Sequence, residues 1–317
     1  MRARENPFVD TPDTVGHVST FRRNRAADAL QVQRRLSGDT NYGCGKWNRV
    51  DASSLRLLRG GMKKTPRCIW LLLMLAASPC RAADLNAEQV RAILVTATSD
   101  KPADLSGKSL ENLDLSNLDF KRANLAGANL FGAKLDGANL SGAGLSGAKL
   151  DLAWVMRANF TNADLSNASL FGPVVSTGLE TTPAEAPIFK GANFSGARII
   201  ARLSRFDLSG ANFTGAKMGA DMKNQSMGLM RTDLSGANLT MANFSKADLG
   251  RALMRFANLT GADLSGAQLT GADLSGADLT GADLTGADAT DADLGGAVLT
   301  DVRGLDTMKG VKWPQKP

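Results

Sequence analysis

From residue 105 onward an apolar residue recurs at every fifth position, and small or polar residues fill the four places between. The stretch GADLSGADLTGADLTGAD, from Gly271 to Asp288, shows it most plainly. Neither regular secondary structure accommodates that spacing. Five residues of α-helix advance roughly 500°, so each Leu falls about 140° from the last and no buried stripe forms. Five is odd, so along a continuous strand successive leucines would point to opposite faces. The pattern predicts short extended pieces, each followed by a bend. Taking the apolar residue as position i, the residue at i−2 shares its side and faces inward with it. Gly and Ser/Thr then form the bend, where Gly tolerates backbone angles closed to other residues.

The inward register runs through Leu105, Leu110, Leu115, Phe120 and on to Leu170, then through Phe189, Phe194 and Ile199. There it slips by one residue to Leu203, Leu208, Phe213 and Met218, and it resumes from Leu229 to Leu299. Position i−2 is Ala in most units, as at Ala123, Ala128, Ala237 and Ala262. GANLFGAKLDGANLSGA (127–143) carries the resemblance: over about two-thirds of its length the chain resembles the pentapeptide-repeat family, whose motif is A-(D/N)-L-x-x. The resemblance implies an all-β solenoid, a right-handed quadrilateral β-helix with four units per coil. The 36 units counted along the chain would make about nine coils. At about 4.8 Å between paired strands the solenoid would be on the order of 43 Å long.

Both ends of such a coil expose edges that invite pairing. Before the repeats, LNAEQVRAIL offers Asn86 as N-cap with Gln89 at capping-box spacing, and Val90, Ile93, Leu94 and Ala97 give a helix one apolar stripe. A short N-terminal capping helix is therefore expected within 83–102. After the repeats, which should end near residue 303, Val311 and Trp313 in the 304–317 segment are the candidates to cover the last coil, and Pro314 cannot extend a ladder. Two interruptions are expected inside the 103–303 solenoid. The segment 171–187, with three prolines, reads as a loop thrown out from one corner, either a binding loop or a tolerated insertion. The second is an irregularity over 219–228.

Net charge changes the picture only once it is divided. The chain carries a formal +6, but residues 1–82 hold 15 Lys/Arg against 6 Asp/Glu, whereas residues 83–317 hold 22 against 25. The excess positive charge lies outside the repeats, which removes the argument for nucleic-acid binding. Met62 opens MKKTPRCIWLLLMLAASPCRAAD, with Lys63, Lys64 and Arg67 before a short apolar run and small residues at −3 and −1 of a cut before Ala83. Residues 62–82 thus read as a secretory signal peptide, too short to span a membrane, and the expected address is periplasmic or secreted. Residues 1–61 show no periodicity and read as a stretch upstream of the true start codon, the alternative being a real basic extension. A lipid-attachment site at Cys80 is disfavoured by Pro79 directly before it. Cys44, Cys68 and Cys80, with His17 and Tyr42, all precede the expected cut.

A mature chain without His or Cys excludes a Ser-His-Asp triad, a Cys-His pair and a usual zinc site, so no catalytic residue, metal or cofactor is assigned. Stacking at 20 residues would place Asp273 near Asp293 and Asp263 near Asp283, where paired carboxylates either grip Ca²⁺ or simply face water. Thr240, Thr260, Thr280 and Thr300 would form one column, which raises ice or glycan binding and is answered by Ser/Thr being the default at i+1. GADLSGAD is not a phosphate loop, because no Lys follows its glycines.

One surface departs from the repeat. Between Lys190 and Arg255 ten basic residues face four acidic ones, whereas 260–301 holds eight Asp and no Lys or Arg. Arg198, Arg202, Arg205, Arg231, Arg251 and Arg255 form a candidate belt for an anionic envelope partner or protein, with Arg231 and Arg251 expected to stack. The bland reading is repeat decay around the slip. The function expected is a non-catalytic secreted or periplasmic scaffold or interaction module, with no membrane span in the mature chain and an end-to-end or face dimer possible. One alternative, implied by the family, is a DNA-mimicking protein that engages gyrase, against which stand the weak mature charge and the export signal. The other is a carboxylate enzyme acting on envelope polymers.

Overall fold

A computed structural model describes residues 83–178, 182, 184–220 and 230–310. They form a parallel β-solenoid preceded by one helix. The extended pieces are so short that most make single bridges between neighbouring coils; among the described residues only Ser169–Phe171 (β1) and Arg198–Ile200 (β2) are long enough to be strands, and they pair in parallel. The bridges align in four ladders, one per face. Face 1 runs from Asp104↔Asn124 to Asp283↔Arg303, and face 2 from Ser109↔Asn129 to Asp288↔Lys309. Face 3 begins at Asp114↔Lys134 and ends at Asp273↔Asp293, and face 4 runs from Asp119↔Asn139 to Asp278↔Val298.

A single unit explains the motif, because each of its five backbone N–H groups has its own acceptor. In the unit centred on Leu264, the Ala262 N–H donates to Leu259 O within the turn at 2.9 Å. The Asp263 N–H donates to Ala242 O in the preceding coil at 2.9 Å, and the Leu264 N–H to Asp283 O in the following coil at 2.7 Å. The Ser265 N–H donates to Asp263 Oδ1 at 2.9 Å, and the Gly266 N–H to Thr285 O at 2.9 Å. Asp or Asn at i−1 is thus the acceptor for a bend N–H that no ladder reaches. Gly at i+2 answers the left-handed backbone there, φ +64° at Gly266. Leu or Phe at i and Ala at i−2 point inward, and Leu105 through Leu284 are buried. Each fully buried Leu contributes roughly 1.5–3 kcal/mol against the entropy of ordering it.

Some bends carry a side chain at i+2 despite positive φ, among them Arg122, Leu152, Arg205, Met241, Arg251 and Phe256. Each of these six leans over a glycine at the same corner of the next coil. Phe256 lies over Gly276 and Met241 over Gly261, so closely that a Cβ there would collide.

The helix α1, Ala87–Thr96, closes the first coil. The Gln89 N–H donates to Asn86 Oδ1 and the Asn86 N–H to Gln89 Oε1, both halves of a capping box. Val90 is fully buried against the core, with Ile93, Leu94 and Ala97 half-buried beside it.

Two boundaries differ from the sequence reading. Phe171–Val175 is not loop: Phe171 ends β1, Val174 bridges Trp154, and Val175 is an inward residue of face 3. Pro173 is tolerated because it sits at i−2, whose N–H serves only the turn bond and never the ladder. The insertion starts after Val175. At the far end, the ladders continue past 303 to Lys309, with Gly304 in a central slot and Met308 buried at i−2. Leu229, Met222, Met227, Val311, Trp313, Pro314, the proposed signal peptide and the segment before it lie outside the described residues.

Candidate binding cleft

Between Leu105 and Leu299 five-residue spacing fails three times, and all three failures meet on one side of the solenoid; a fourth, six-residue step from Gly304 to Gly310 falls in the last coil. From Val175 on face 3 to Phe189 on face 4 the chain takes fourteen residues instead of five. One coil later, from Ile199 on face 2 to Leu203 on face 3, it takes four. In the coil after that, from Met218 to Leu234 at the same corner, it takes sixteen.

The short unit is the informative one. Gly172 N–H donates to Ile200 O, the bond typical of an i+1 carbonyl, and Asp233 N–H donates to Ala201 O, the bond typical of i−2. Ile200 and Ala201 are adjacent, so the missing residue is the i+2 bend. Without it the corner is cut short: Ile200, at the i+1 position that is mostly solvent-facing or half-buried elsewhere, is 6% exposed. The Ile199 carbonyl also loses the turn donor that follows a bend, and instead accepts from the hydroxyl of fully buried Thr232 in the next coil at 2.8 Å.

Cutting that corner opens the face 3 ladder. Among the described residues, Val174 bridges only down to Trp154, and pairing resumes above at Arg202↔Asp233. Between them lies a cleft of about 410 Å³, lined by Pro173, Val174, Val175 and Ser176 below, Ile200, Ala201 and Arg202 above, and Met230 and Arg231 at the rim. Behind it the core turns aromatic. Phe160 and Phe189 stack at 4.9 Å, Phe194 and Phe213 at 5.0 Å, and Phe213 and Phe244 at 4.6 Å. Such pairs add roughly 0.5–1.5 kcal/mol beyond their area and stiffen the irregular coils.

The six belt arginines are all exposed but do not form one patch. Arg202 and Arg231 line the cleft. Arg251 occupies the same corner as Arg231 one coil further on, over Gly271. Arg255 is at i+1 on face 3 and pairs with Asp273 at 3.5 Å. Arg205 occupies the corner beyond face 3, and Arg198 lies on face 2 above the Phe171 ring. The start of the insertion is tied down as well: the hydroxyls of Thr177, Ser176 and Thr182 donate to Glu185, and the Thr177 bond leads in holding its carboxyl below the usual value.

The Asp columns are real, since Asp263↔Asp283 and Asp273↔Asp293 are bridged. Their oxygens serve the bends: Ser275 donates both N–H and hydroxyl to Asp273 Oδ1. The Thr column is likewise engaged, Thr240 donating to Asn238 and Thr280 to Asp278. Hydrogen bonds from Ser/Thr hydroxyls, then from backbone N–H groups, hold Asp104, Asp114, Asp278, Asp283 and Asp288 below the ordinary carboxylate value. Asp136 differs, because burial pushes it up. Among the described residues no three His, Cys, Asp or Glu side chains gather as a metal ion would require. A second cleft of about 470 Å³ separates the end of α1 from the first coil. No helix among the described residues is long and apolar enough to cross a membrane.

Sequence reading singled out Arg202 and Arg231 and noticed the one-residue slip, but it missed Thr232, Ile200 and Val175. The signals were present: a four-residue spacing, and Thr where i−2 is mostly Ala.

A parallel solenoid built from five-residue units with Asp/Asn before each inward residue defines a class of repeat protein. The family model described as Pentapeptide repeats matches in eight copies, over 103–132, 123–161, 138–172, 229–266 and 262–301, and the chain is a pentapeptide-repeat protein. Its coil is accordingly a right-handed β-helix. No curated protein matches the chain. Among solved structures it is similar to HetL, a pentapeptide-repeat protein involved in heterocyst differentiation regulation from Nostoc sp. strain PCC 7120, at 28% identity and TM-score 0.30, covering 72% of this chain and all of that one. It is similar to Rfr23 from Cyanothece 51142, at 23% identity and TM-score 0.25, covering 55% and 89%. It is also similar to QnrB1, a plasmid-mediated fluoroquinolone resistance protein, at 20% identity and TM-score 0.22, covering 59% and 89%.

Proposed function

We propose that the protein is a non-catalytic interaction scaffold, exported to the periplasm or secreted, whose partner docks at the face 3 cleft. One observation carries this reading. The three departures from five-residue spacing between Leu105 and Leu299, far apart in sequence, converge on a cleft whose walls hold two arginines, while the corners away from face 3 keep five-residue spacing as far as Gly304. Independent drift has no reason to gather at one place, whereas a binding site on a rigid scaffold requires it. The signal-peptide pattern before Ala83 supports the address, and the absence of His and Cys from residues 83–317 supports binding over catalysis.

In-cell photo-cross-linking tests it. A photoreactive residue at Met230 should yield a discrete adduct in the envelope fraction, and one at Thr280 on face 4 should not. The native N-terminus, sequenced from that fraction, should be Ala83. Equal adducts at both positions, or a cytoplasmic protein with an intact Met1, would overturn the reading.

A further inference from the structure

We infer that the cleft takes an extended peptide segment as an added strand, with an acidic side chain held between Arg202 and Arg231. This deepens, and rests on, the docking site just proposed.

The backbone makes the first case. On face 3 each central N–H normally donates to the coil above: Leu135 to Trp154 O at 2.7 Å, Val155 to Val174 O at 2.9 Å. At Val175 that upward bond reaches no backbone acceptor among the described residues, and the rung that would join Val174 to Arg202 is not made. An interrupted ladder presents the same template as a sheet edge, and an extended peptide completes it with main-chain hydrogen bonds. Here the template is recessed between two coils, not laid along a flat margin, which limits it to one strand. The volume, about 410 Å³, lies at the lower end of the roughly 300–1,000 Å³ of ligand clefts and suits a few residues rather than a domain.

The walls make the second case. Side chains of an added strand alternate in direction. The inward set would meet Val175 and the buried Ile200, an aliphatic lining; the outward set would lie beside Val174 and Arg202, with Arg231 at the rim. Two guanidinium groups at one cleft select an anion, and each can fork onto a carboxylate. A free small anion would leave the aliphatic wall and the open rung unused. A nucleic acid would have to pass Asp233 and Asp273 on the same face. The chemistry that uses every wall is an aliphatic and acidic residue in alternation on an extended backbone. The stacked Phe194, Phe213 and Phe244 stand on face 1, across the core from the cleft.

The test uses purified protein and a pool of N-acetylated hexapeptides alternating Val, Ile or Leu with Asp or Glu, retained members being identified by mass spectrometry. The expected result is retention that weakens with salt, falls about tenfold or more in the Arg202→Ser, Arg231→Ser double variant, and is unchanged in Arg255→Ser. Methylating alternate backbone amides of the best peptide should reduce binding by a similar factor, because it removes ladder donors and leaves side chains in place. Equal binding of the methylated peptide would overturn the added strand. Retention no better than for a pool with Lys replacing the acids, or occupation of the cleft by a second copy of the chain, seen as a dimer by light scattering that both arginine substitutions abolish, would overturn the inference as well. The two levels separate cleanly: a Met230 cross-link without peptide binding leaves the scaffold reading standing and removes this one, and loss of both removes both.

Discussion

Thr232 looks like an error in the repeat, since i−2 is otherwise mostly Ala, and restoring the common residue is a usual route to stability. The structure predicts the opposite. Thr232 is fully buried and its hydroxyl donates to the Ile199 carbonyl, whose ordinary turn donor the short unit has removed. Thr232→Ala leaves that carbonyl buried without a partner, at a cost of roughly 1–3 kcal/mol, and Thr232→Val, which keeps the volume, should cost as much. Thr232→Ser should be milder. Denaturant melts of the three variants decide it, and an Ala variant as stable as the parent would mean the hydroxyl is incidental. The same position shows what a sequence can and cannot disclose at this scale. That Thr232 faces inward follows from the five-residue register. Why it is Thr does not, because its acceptor lies 33 residues earlier and is exposed only by a bend residue that the sequence lacks.

At the scale of the repeating unit the sequence is far more legible, because the unit is local. Inward positions from Leu105 to Leu284 could be read directly, since a fixed period needs only one correct phase and a buried ladder enforces it. The Asn86–Gln89 capping box is likewise a contact between residues three apart. Legibility ended where units interact across irregular spacing. Pro173 was read as a ladder breaker and the unit at Val175 was lost, although a proline at i−2 forfeits only a turn bond. The Asp columns illustrate a related limit: their spacing suggested paired carboxylates, but one oxygen of each, Oδ1, is already held by the bend of its own unit. Those bonds carry a pH dependence. Asp278, Asp283 and Asp288 sit below the ordinary value of 3.8, chiefly through the Thr280, Thr285 and Thr290 hydroxyls. A carboxylate depressed in the fold contributes stability that is complete above its unfolded value and is lost as pH falls through the folded one. The melting temperature should therefore decline below about pH 4. The Asp278→Asn, Asp283→Asn, Asp288→Asn triple variant keeps every bend acceptor and removes the titration, so its decline should be shallower. Parallel pH profiles for variant and parent would refute the assignment.

For the solenoid as a whole, the short unit couples stability to binding, and a single inserted residue tests that coupling. Glycine placed between Ile200 and Ala201 supplies the absent i+2 bend, with the left-handed backbone that Gly172 already adopts in the coil before it at φ +58°. The corner then regains full length, Ile200 turns outward, and Ala201 N–H can donate to Ile199 O as i−2 does elsewhere. The face 3 ladder should close across Val174 and Arg202. Three consequences follow from that one closure. Stability should rise, by roughly 0.5–2 kcal/mol, as backbone groups at the cleft find ladder partners. Peptide retention should vanish even though Arg202 and Arg231 are both still present, because the added strand has no open rung to fill. Thr232→Ala, costly in the parent, should become nearly neutral in the inserted chain, since the Ile199 carbonyl no longer depends on the hydroxyl; a double-mutant cycle over insertion and substitution would then show a coupling of about 1 kcal/mol or more. A more stable chain that still binds would separate the cleft from the broken ladder. A chain that loses binding without gaining stability, or that shows no coupling to Thr232, would mean that the missing bend residue does not set the geometry of this corner.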